Sequence, residues 1–111
     1  MSSHNASPVY SSLSNDPDIV NLVEEFVANL QDRIASIQAS VDANDVEQLA
    51  GWAHQLKGSC GGYGFIAISE AAASLEVAAR GADSVEQCMG DINELISLCR
   101  RATAEPPPPT V

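Results

Sequence analysis

Residues 16–41 read DPDIVNLVEEFVANLQDRIASIQASV, and this stretch decides the fold class. Apolar residues recur at Ile19, Leu22, Val23, Phe26, Val27, Leu30, Ile34, Ile37 and Val41, in steps of three and four. Those steps place one buried stripe along a helix of roughly six turns. Asp16 is expected as its N-cap, with Pro17 at the first helical position, where a missing N–H is harmless. The polar run Asp42-Ala43-Asn44-Asp45 should end it.

Asp45 can cap a second helix, with Gln48 three residues on in capping-box spacing. The stripe of that helix is Val46, Leu49, Ala50, Ala53, Leu56 and Cys60, closed by the glycines at 61, 62 and 64. A third helix is expected from about Ala67 to Arg80, burying Ile68, Ala71, Ala72, Leu75 and Ala79, with Gly81 as C-cap. Ser84 with Gln87 should start a fourth, burying Val85, Cys88, Met89, Ile92, Leu95, Ile96 and Cys99. Arg100 and Arg101 close it, where the helix dipole favours cations. Four amphipathic helices on short loops predict an all-α, antiparallel four-helix bundle.

The ends read differently. Residues 1–14 are rich in Ser and Asn and predict a flexible arm; Val9, Tyr10 and Leu13 leave room for a short extra turn docked on the bundle. Residues 15–103 form the bundle. From Ala104 to Val111 the chain carries Pro106 to Pro109, which predicts a stiff extended tail.

Composition narrows the function classes. The chain has 111 residues, enough for one core, and 45% of them are apolar. Fifteen acids face five bases, a net charge of −10, which argues against nucleic acid or anionic lipid as partners. The apolar runs fall short of a membrane span, and no charged-then-apolar leader is read. Cys60, Cys88 and Cys99 are an odd number without C-x-x-C spacing. They predict buried structural thiols in a reducing, cytoplasmic setting, with no metal site, since the second histidine, His4, lies in the polar arm.

One feature resists a purely structural reading. On the second helix His54 falls just outside the core arc, facing water. Its neighbours at i−3, i+4 and i+7 are Gly51, Gly58 and Gly61, and Lys57, the sole lysine of the chain, lies at i+3. Glycine within a helix costs roughly 1 kcal/mol relative to alanine. A bare backbone shelf gives another protein close access to the imidazole. Imidazole is a good nucleophile near neutral pH, and a phosphoryl adduct would bring nearly two negative charges that Lys57 is placed to offset. Residues 58–64 lack a P-loop pattern, so no nucleotide cofactor and no autonomous kinase activity are expected.

The segment His54-Gln55-Leu56-Lys57-Gly58-Ser59-Cys60-Gly61-Gly62-Tyr63-Gly64 resembles the H-x-L-K-G-x(5)-G signature of histidine-containing phosphotransfer (HPt) domains. Gly64-Phe65 also resembles the matching segment of chemotaxis-kinase phosphotransfer domains. The resemblance covers roughly residues 15–100. It implies a phosphoryl carrier whose histidine accepts phosphate at Nε2 from a receiver-domain aspartate and can return it. It further implies that Lys57 helps neutralise the phosphoryl group and that Gly58 leaves room for it. Family members often place Glu or Gln twenty-two positions after the histidine, bonded to the ring, which falls here on Glu76. A basic residue four positions further corresponds to Arg80. Glu76 and Arg80 also suit an ordinary i, i+4 surface pair.

The expected partners are receiver domains of response regulators or of hybrid histidine kinases, met by a free-standing cytoplasmic monomer. A docking protein without turnover, or a helical adaptor in which His54 is incidental, are the competing readings.

Overall fold

The computed structural model describes residues 7–108. His4, the first six residues of the arm and residues 109–111 of the tail, with the expectations attached to them, lie outside the described residues. Four helices carry the fold: α1 (Val20–Asp42), α2 (Val46–Gly62), α3 (Ile66–Arg80) and α4 (Met89–Arg101). A 3-10 turn at Val85–Cys88 leads into α4. Two-residue strands, β1 (Val9–Tyr10) and β2 (Ala102–Thr103), pair in parallel with Val9 opposite Ala102. The result is the all-α helical bundle that the periodicity predicts.

The stripes converge on one core. Val23, Leu30, Ile34 and Ile37 of α1 meet Leu49, Ala53, Leu56 and Cys60 of α2, Ile68, Ala72 and Leu75 of α3, and Ile92, Leu95 and Cys99 of α4, all buried. The three thiols are buried and free. Burial pushes Cys60 and Cys99 up to about 12, so both stay protonated and unreactive near neutral pH.

Local details depart from the expected boundaries for physical reasons. The first helix begins at Val20, with Ile19 in the N-cap position, and not at Pro17. Asp16 caps a preceding turn instead: its Oδ1 accepts from the Asp18 amide at 2.9 Å, and its carbonyl accepts from Ile19 and Val20. Leu22, assigned to the buried stripe, is exposed, because its neighbour Val23 takes the core direction and nothing covers the side 100° away. Near the other end Ser40 is buried in place of Val41, its hydroxyl bonded to the Ser36 carbonyl and to Gln48 Oε1. Asp45 does cap α2 by accepting from the Gln48 amide at 3.0 Å. The reciprocal half of the capping box is absent; the Gln48 side chain goes to Ser40, and the Asp45 amide donates to the Ser40 carbonyl.

The fourth helix also starts later than Ser84, at Met89. Ser84 makes no side-chain cap. The Val85 amide is satisfied by Asn44 Oδ1 at 2.9 Å, from the turn between α1 and α2, where Asn44 sits at φ 52°. Gln87 Oε1 accepts from the Asp83 amide.

Residues 7–14, expected as a flexible arm, are docked. Val9 and Leu13 pack on the core, Val9 from the strand β1 and not from a turn. The Ser11 hydroxyl donates to the Tyr63 carbonyl, and the Ser12 amide donates to the Gly64 carbonyl at 3.0 Å. Arg101 of α4 reaches the Ser7 carbonyl at 3.1 Å. Gly64 makes this strap possible: its φ is 81°, and a Cβ there would stand 2.9 Å from the Ser12 nitrogen. Tyr63 stacks on Phe26 with ring centroids 4.3 Å apart, and Phe65 is fully buried, so both aromatics secure the end of α2 against α1. Trp52 packs beneath the Arg33 guanidinium at 5.3 Å.

Candidate functional site

Helices α2 and α3 form the most extensive helix pair of the molecule. The reason is the small residues in their seam, Ala50, Ala53, Ala72 and Ala79, which are buried and let the two backbones approach. A polar tie fixes the register: the Ser69 hydroxyl of α3 donates to the Lys57 carbonyl of α2 at 2.7 Å. A Cβ on Gly61 would lie 3.3 Å from the same hydroxyl. The glycine hydrogen therefore serves the approach of α3.

This packing delivers Glu76 beneath His54. Glu76 Oε2 lies 3.0 Å from His54 Nδ1. The same oxygen accepts from Arg80 Nε at 3.0 Å and from Arg80 Nη2 at 2.8 Å. Lys57 Nζ contacts the other oxygen, Oε1, at 3.0 Å. The carboxylate is nearly buried, with a side chain 12% exposed, while the imidazole is 64% exposed. Arg80, then Lys57, hold the Glu76 carboxyl down at about 2, so it is ionised across the physiological range. An ionised carboxylate on Nδ1 can only accept. It thereby selects the tautomer protonated at Nδ1 and leaves the Nε2 lone pair free on the solvent side.

Four of the residues singled out in the sequence, His54, Lys57, Glu76 and Arg80, thus meet in one bonded cluster. Gly58 lies on the exposed side of α2 beside the ring, where a Cβ would touch nothing within 4 Å. Gly51 is equally open. Gly61 differs from expectation: it faces Ser69 and is not part of the open shelf. Gly62, read from the sequence only as one of the glycines that close α2, has nothing within 4 Å. Ser69 was missed. Its signal was the spacing of Ser69, Glu76 and Arg80, which share one side of α3 at intervals of seven and four.

Between α1 and α2 a groove of about 130 Å³ is lined by Phe26, Leu30, Arg33, Gln55 and Ser59. On α3, Ile66 and Val77 are exposed, Val77 to 77%. Among the described residues, no three His, Cys, Asp or Glu side chains come together as metal ligands would, and no helix is long and apolar enough to cross a membrane.

The family model described as the Hpt domain matches residues 21–105, most of the chain. No curated protein and no solved structure matches it significantly. The bundle, the exposed ring and the family match together make the chain a member of the Hpt domain family, the histidine-containing phosphotransfer domains of two-component phosphorelays.

Proposed function

We propose that His54 is the phosphoacceptor, taking a phosphoryl group on Nε2 from a receiver-domain aspartate, or from a histidine kinase system, and passing it to another response regulator. The observation that carries this reading is the Glu76 contact to Nδ1, which turns the nucleophilic lone pair outward.

The chemistry follows from that contact. The Nε2 lone pair forms an N–P bond as the P–O bond to the receiver's aspartate breaks, and the bonding pair leaves with the aspartate carboxylate. The ring gains positive charge while keeping its proton on Nδ1, against the Glu76 carboxylate, which stabilises the ring so formed. On return the leaving group is a neutral imidazole, because the same proton is still in place. One hydrogen bond thus serves both directions. Gly51, Gly58 and Gly62 leave the approach to Nε2 clear, and Gly61 supports the site through α3. Lys57 supplies charge for the incoming phosphoryl oxygens. The chain acts as a carrier with no kinase activity of its own, a cytoplasmic monomer whose receiver covers the groove at Phe26 and the exposed side of α3.

The test is incubation with a phosphorylated receiver, followed by assay of acid-labile, base-stable label on this chain. Wild type should take label and His54→Gln should take none; equal labelling of both would refute the assignment.

A further inference from the structure

The site holds two cations on one carboxylate, and they are not equivalent. Arg80 stands on α3, four residues beyond Glu76, so the pair moves as one rigid element. It donates twice to a single oxygen, Oε2. Lys57 stands on α2, the helix that carries His54, and contributes one contact to Oε1 from a flexible stem. Before modification the cluster comprises one carboxylate, two cations and the imidazole. A phosphoryl group on Nε2 adds nearly two negative charges at the edge of this cluster. Both anions then compete for the cation that can move, and that cation is Lys57.

We infer that Arg80 is a positioning residue that holds Glu76 against the ring, so that Lys57 can leave Oε1 for the phosphoryl oxygens. This rests on the reading of His54 as phosphoacceptor. Without Arg80 the nearly buried carboxylate has one cation left, and Lys57 stays where desolvation makes it most needed. The phosphoryl group is then left without its counter-charge. Arg80 therefore acts through Glu76 and Lys57 and does not touch the reacting atoms.

A double-mutant cycle on the full chain tests this, with a phosphorylated receiver as donor and Lys57→Ala, Arg80→Gln and the double variant as acceptors. Each single variant should slow transfer on the order of tenfold, the scale of one charge-assisted hydrogen bond. The double variant should be no more than about twofold slower than the slower single, because both changes remove the same handover. Arg80→Lys should recover most of the rate by restoring a cation on α3. In the phosphorylated protein, ¹⁵N resonances of the imidazole should show the Nδ1 proton bonded in wild type and Arg80→Lys, and altered in Arg80→Gln. Multiplying effects, or Arg80→Gln within about twofold of wild type, would overturn the role. If wild type itself takes no label, the phosphoacceptor reading fails and this inference with it. If wild type is labelled and the effects multiply, only the role of Arg80 falls.

Discussion

Gly58→Ala should make the protein more stable and less active, and both halves follow from one measurement of space. A Cβ at position 58 would meet nothing within 4 Å, and the residue lies well inside α2. The substitution therefore adds no clash and gains the helix propensity difference, about 0.8–1.0 kcal/mol. For a domain of this size that raises the melting temperature by about 4–8 °C. Gly61→Ala is the internal control. Its Cβ would press on the Ser69 hydroxyl at 3.3 Å, which is already committed to the Lys57 carbonyl, so the same propensity gain is offset. Urea and thermal unfolding of both variants give the stability, and label transfer from a phosphorylated receiver gives the rate. Gly58 follows His54 by one turn on the open side, so the added methyl narrows the approach to Nε2 and transfer should slow. A Gly58→Ala variant no more stable than wild type would refute the claim that the position is sterically free. A stabilised variant with undiminished transfer would refute the claim that the glycine is there for access.

Three further outcomes are expected. Gly64→Ala should destabilise the fold by about 2–4 kcal/mol in urea unfolding, from the left-handed φ of 81° and loss of the Ser11 and Ser12 hydrogen bonds. Glu76→Gln should cost stability in a pH-dependent way. The native carboxyl is depressed from 4.5 to about 2, so its contribution is complete above 4.5 and disappears as pH falls towards 2. Wild type and variant should then converge in unfolding experiments at the acid end; a constant gap would show that the ion cluster is not its source. Val77→Asp should slow transfer from a receiver on the order of tenfold, by placing a charge on the exposed apolar side of α3 that the receiver is proposed to cover. Labelling by a small-molecule phosphodonor should be unaffected, and equal loss with both donors would locate the defect in the ring.

The periodicity of residues 16–41 was sufficient for the fold class, because a stripe at steps of three and four has one low-energy solution, a helix with that side buried. Helix ends were less legible. Asp16 and Ser84 have the right chemistry for caps, yet Asp16 caps a turn ahead of α1, Ser84 makes no side-chain cap, and the Val85 amide is met by Asn44, 41 residues away. A cap is chosen by whichever oxygen tertiary packing brings closest. The docking of residues 7–14 was hinted at only by three apolar residues in a polar arm, since its hydrogen bonds depend on Gly64 and on the end of α4.

The candidate site divides in the same way. His54, Lys57 and Gly58 share one helix, so their adjacency is a matter of 3.6 residues per turn and needs no structure. Angular position alone could not say on which side of α2 the third helix would lie. That side decides everything else: it turns Gly61 into a packing glycine, leaves Gly62 open, and brings Glu76, with Arg80 already paired to it along α3, within 3.0 Å of the ring. A sequence determines which residues one helix presents together. Only the packing of α3 on α2, through alanines small enough to let the backbones close, determines that a carboxylate meets that histidine from the other side.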